Sequence, residues 1–164
     1  MKWFKRQDKQ EFSPEAFTFF LLKQTRDTVK ATGQTLRKHL NAEEQSKLTK
    51  IEDELFFFFV FALDYRRTTL SVFTQEEKRI FREAFDAHLE NIVSLDTLQE
   101  RLTAYAQIAI EKEGSPVMFL DFGRKLSEFC DMPGLTLLLL LPGQLFGAAA
   151  ESVLRLRSMR LKLR

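Results

Sequence analysis

The sequence predicts an all-α fold: a single bundle of five to six helices built round one long, phenylalanine-rich central helix. Three observations carry that expectation. Apolar residues recur three and four apart over most of the chain, signals of strand type are few, and residues suited to helix starts and stops punctuate it. The 164 residues are 45% hydrophobic and 29% charged, enough apolar material for one core and enough charge to solvate its surface. That composition excludes overall disorder and disfavours fibrous or polytopic membrane classes. One cysteine excludes a disulfide framework and makes a cytoplasmic, reducing setting the default expectation, peripheral attachment to a membrane remaining open.

Residues 1–12 read as a basic extension, with Lys2, Lys5, Arg6 and Lys9 against Asp8, and without the apolar run of a secretory leader. Residues 13–150 read as the helical domain. Ser13-Pro14-Glu15 suits the start of its first helix: serine can accept from free amides, proline fits the first helical position, and glutamate favours the positive pole. Phe17, Phe20, Leu21, Gln24 and Thr28 form the expected inner stripe, and Gly33 can end or loosen the helix.

Asn41 followed by Glu44 predicts a capped second start. From there Leu48, Ile51, Leu55, Phe58, Ala62, Tyr65, Thr69 and Val72 keep a spacing of three and four, which predicts one long helix. Between Leu55 and Leu63 it is apolar on every side, as a helix wrapped by others should be. Thr74 with Glu77 starts the next helix, whose face carries Phe81, Phe85, His88 and Ile92. Leu98, Leu102, Tyr105 and Ile108 then align. Gly114-Ser115-Pro116 closes that helix and opens one with Phe119, Phe122, Leu126 and Phe129 inward, ending at Met132-Pro133-Gly134. Leu135–Ala150 is the final core segment, expected to be interrupted at Pro142-Gly143. As a straight helix its 16 residues would span about 24 Å, short of a hydrocarbon core of roughly 30 Å.

Residues 151–164 read as a basic helix end or tail. Arg155, Arg157, Arg160, Lys162 and Arg164 stand against Glu151 and are candidate contacts for an anionic partner. The whole chain carries a net charge of +2, so the stretch between these two ends is acidic. Such a body disfavours nucleic acid as the partner.

Catalytic and cofactor signals are sparse, and the sequence predicts no cofactor and no metal. The two histidines, His39 and His88, stand outside any Glu-x-x-His spacing, and glycine loops of phosphate-binding or nucleophile-elbow type are absent. Cys130 sits beside Phe129 without an activating histidine nearby in sequence, which suits a small buried hydrophobe. The function predicted is therefore a non-enzymatic helical interaction or scaffold protein, with a homodimer or other protein partner. Leu137, Leu138, Leu139, Leu140 and Leu141 are apolar all round, more than one bundle face requires. With Gly143 and Gly147, four apart, they form the candidate interface. Three alternatives stand beside this reading. One is a peripheral membrane or lipid-associated protein using the basic ends. Another is a helical binder of an apolar ligand held among the 17 phenylalanines. The last is an enzyme with a site assembled from residues such as Asp64, Tyr65, Arg66 and His88.

Overall fold

The computed structural model describes residues 11–12, 14–69, 74–91, 93–155 and 160–161, and over them the chain is all-α. Seven helices follow one another among the described residues. They are α1 (Pro14–Arg37), α2 (Ala42–Ser46), α3 (Leu48–Thr69), α4 (Gln75–Leu89), α5 (Leu95–Lys112), α6 (Met118–Phe129) and α7 (Thr136–Arg155). The count exceeds the predicted five to six because the second predicted helix is divided. Its first turn, α2, is closed at Lys47 before α3 begins. The Asn41 cap belongs to α2: Asn41 Oδ1 accepts from the Glu44 N–H at 2.9 Å, and the Asn41 N–H donates to Glu44 Oε2 at 2.8 Å. Thr74 and Glu77 make the same reciprocal pair at the start of α4. Gly114 and Gly134, with φ of +73° and +90°, turn the chain after α5 and before α7, a conformation other residues resist.

β1 (Glu11–Phe12) pairs in parallel with β2 (Arg160–Leu161), Glu11 opposite Arg160 and Phe12 opposite Leu161. Short as it is, this pairing returns the C-terminal end of the chain to the start of α1.

α3 is the hub. It packs against α1, α2, α5, α6 and α7, and every residue from Leu55 to Leu63 is buried. The Phe58 ring lies 5.0 Å from Tyr105 of α5, 5.5 Å from Phe122 of α6 and 6.4 Å from Phe146 of α7. Phe61 repeats these contacts one turn on, at 5.5, 5.5 and 6.3 Å. One continuous layer of rings thus joins four helices, at separations typical of edge-to-face and offset aromatic pairs.

Two expectations are corrected by the backbone. Gly33 does not end α1, which runs four residues further to Arg37. It is buried where α1 crosses α3, and a Cβ there would stand 2.8 Å from Glu52 Cγ. Nor do Pro142 and Gly143 interrupt α7, which is continuous for 20 residues. Proline cannot donate to the carbonyl of Leu138, but packing of α7 against α3 and α6 outweighs that single lost bond. The helix also continues beyond residue 150 to Arg155, giving a length of about 30 Å. The shortfall expected of a 16-residue segment therefore disappears: α7 is long and apolar enough to cross a membrane by length and composition.

The inner face of α1 matches the predicted stripe only in part, and the Phe17 side chain lies outside the described residues. Thr18, Leu21, Leu22, Thr25, Val29 and Leu36 are buried, while Phe20 is exposed. Buried threonine is tolerated where its hydroxyl bonds back along the helix, as Thr25 Oγ1 does to the Leu21 carbonyl at 2.8 Å. Where α6 meets α7, Gly123 allows the backbones to touch. A Cβ at that position would lie 2.5 Å from Leu139 Cα and 2.7 Å from the Leu139 carbonyl oxygen.

Candidate functional site

The predicted interface residues do not share one fate. Leu138 and Leu141 point into the chain's own core, and Leu137 is half-buried against it. Leu139 is half-buried, with its backbone against Gly123. Leu140 stands out, 59% exposed. Gly143 is half-buried and Gly147 exposed, and a Cβ at either would meet open space. Helical geometry explains the split: five consecutive residues sweep more than a full turn, so α3 and α6 take most of the run and solvent takes the remainder. Leu154 continues the open side of α7, 44% exposed.

Beside this face runs a groove of about 500 Å³ between α1 and α7. Thr28, Ala31, Thr35 and His39 form one wall, and Leu137, Leu140 and Gln144 the other. On the far side of α1 a second groove, about 490 Å³, is lined by Arg26, Lys30, Gln34 and Arg37 opposite Glu52 and Asp53 of α3. Burial raises the Asp53 carboxyl above its ordinary value.

Of the basic tail, Arg155 is exposed at the last position of α7 and has an interaction of its own within the chain. Arg160 lies in β2 with its backbone opposite Glu11. Arg157, Lys162 and Arg164 lie outside the described residues, as do the basic residues of 1–10.

The residues considered for an enzymatic site face different neighbours. Asp64 accepts from Arg67 at 2.5 Å and lies 3.6 Å from Arg82. Tyr65 reaches Glu113 at 3.5 Å, and burial, then that carboxylate, raises its phenol. Arg66 covers the Phe146 ring at 4.5 Å. His88 Nδ1 lies 3.1 Å from the Ala84 carbonyl, half-buried on α4. These four do not converge on a common point.

Deeper charge is paired. Glu54, only 4% exposed, accepts two bonds from Arg101, at 2.8 and 2.9 Å, and the guanidinium stacks 3.9 Å from the Phe129 centroid. This bidentate pair pins α5 to α3. Nearby, burial pushes the Cys130 thiol up to about 12 and lifts the Tyr105 phenol well above its ordinary value. Such a thiol is not poised as a nucleophile. Among the described residues no group of three or more His, Cys, Asp or Glu side chains could hold a metal ion.

Sequence reasoning passed over one surface that the structure brings forward, the outer face of α1. The signal was present in the chain, since Lys23, Arg26, Lys30 and Arg37 recur at helical spacing. Neither a protein-family model, nor a curated protein, nor a solved structure matches this chain.

Proposed function

We propose that the protein is a non-enzymatic helical interaction protein that associates with a second copy of itself through the outer face of α7. One observation carries the reading: Leu140, Gly147 and Leu154 lie seven residues apart, in one row along the open side of that helix. A two-fold axis through Gly147 sets two antiparallel copies of α7 so that Leu140 of one stands opposite Leu154 of the other. Gly147 meets Gly147, where neither side chain limits approach. Such self-complementarity is what an isologous contact requires. The α1–α7 groove beside Leu140 offers further apolar and small-residue surface to the same partner.

Sedimentation velocity of the purified chain tests this. The expected mass is twice the 19.2 kDa of one chain, and Leu140→Glu returns it to one. Leu140 is exposed, so the variant keeps its fold, which circular dichroism checks. A stable wild-type monomer, or a dimer indifferent to Leu140→Glu, refutes the proposal. Extraction only in detergent refutes it too and assigns α7 to a bilayer.

A further inference from the structure

We infer that the outer face of α1 is a docking surface for an anionic lipid bilayer. Seen down the helix axis, Lys23, Arg26, Lys30, Gln34 and Arg37 fall within an arc of about 80°, with Asp27 and Lys38 at its margin. All seven are exposed. Among the described residues ten ion pairs form, and none includes a side chain of α1. Elsewhere on the described surface many cations are paired, although Lys47, Lys78 and Lys112 are in no ion pair. Arg79 pairs with Glu76 and Glu83, Arg82 with Asp64 and Asp86, Arg124 with Asp121, and Lys125 with Glu128. Glu52 and Asp53 line the groove beside the stripe yet pair with none of its cations. Four cations on one helix face, with Lys38 just past its end and a single acid among them, form a concentrated positive strip.

Aromatic exposure decides which anion this strip fits. Phe19 is 63% and Phe20 44% exposed, and Phe19 falls within the same arc as the cations. A folded core ordinarily buries such rings, and among the described residues nine phenylalanines are buried while these two are left out. Basic side chains that meet lipid phosphates, joined to aromatic rings that enter the acyl boundary, are the two terms of interfacial binding by an amphipathic helix. The strip from Phe19 to Arg37 is about 27 Å long, on a helix face that α3 and α4 leave free. Single-stranded nucleic acid asks for something else, aromatic platforms distributed along a basic groove. Here both rings sit together at one end. The β1–β2 pairing brings the C-terminal chain to that same end of α1.

The test is co-sedimentation of the full chain with vesicles of equimolar phosphatidylserine and phosphatidylcholine, against vesicles of phosphatidylcholine alone. Expected is binding to the anionic vesicles only, weakening as salt rises. Arg26→Glu with Lys30→Glu lowers partitioning by about 25-fold or more, at roughly fivefold per cation removed. Phe19→Ala with Phe20→Ala lowers it also in high salt. The same charge change off the strip, Lys112→Glu with Arg124→Glu, leaves it unaltered. Circular dichroism confirms that each variant is folded. The inference is overturned by absent binding at low salt, by binding that survives the α1 reversal, or by equal loss in the off-strip control. Salt-sensitive binding to single-stranded RNA without vesicle binding reassigns the strip and overturns it likewise.

Discussion

Truncating Phe58 probes the ring layer at its centre. The side chain is fully buried, with four rings within 6.4 Å contributed by α3, α5, α6 and α7. Phe58→Ala vacates on the order of 100 Å³, and at about 24 cal/mol per Å³ the cavity alone costs about 2.4 kcal/mol. Lost transfer free energy brings the total to roughly 3–5 kcal/mol. Aromatic neighbours on separate helices cannot swing into the gap without moving their backbones, so little of that cost is recovered by collapse. For a domain of this size the loss lowers Tm by about 6–20 °C. Urea unfolding followed by circular dichroism measures it, with Phe58→Leu as a milder control. A loss below about 1 kcal/mol at an unchanged slope would mean that residue 58 is not walled in by four helices.

Two further outcomes follow from the interior. Arg101→Met strands the Glu54 carboxylate in a dry site and should cost about 3–5 kcal/mol in urea unfolding. Adding Glu54→Leu should recover most of that, and two additive losses would contradict a coupled pair. Stability should also fall in alkali. Burial favours the neutral thiol of Cys130 and the neutral phenol of Tyr105, so both raise the folded-state pKa. Their contribution is fully present below the ordinary thiol value of 9.0 and is lost as pH climbs toward about 12. The urea midpoint should therefore stay level through neutrality and drop above pH 9, and Cys130→Ala should soften the drop. A midpoint flat to pH 11 would contradict the burial.

Much of the fold was legible because its signals are local. The Asn41 and Thr74 capping boxes form as their spacing predicts, and the run Leu55–Leu63 is buried all round. The errors arose where tertiary packing outweighed a local preference. Pro142 looked like a stop, yet two packed neighbours carry α7 through it. Gly33 looked like a terminus, yet it is buried inside a continuing helix, beside the Glu52 side chain of α3. Phe20 was expected inside, yet it is exposed while Thr18 and Thr25 occupy the inner face. The candidate surfaces were legible only in part. Whether Leu138 or Leu140 meets solvent depends on where α3 and α6 sit, which periodicity within α7 does not contain. The strip on α1 was readable as spacing, but its distinction rests on the missing counter-charges, and pairing is a property of the folded surface.

The central position of α3 also bears on how the chain is made. The helix ends at Thr69, whereas α7, which covers one side of its phenylalanines, ends 86 residues later at Arg155. At ribosomal speeds of about 5–20 residues per second, that separation lasts roughly 4–17 s. During this interval α1 can already fold back onto α3, but the ring faces of Phe58 and Phe61 await partners not yet synthesised. Each new chain therefore passes through a stage in which an aromatic helix is not yet covered, and synthesis without chaperones that shelter nascent apolar segments should yield more aggregate.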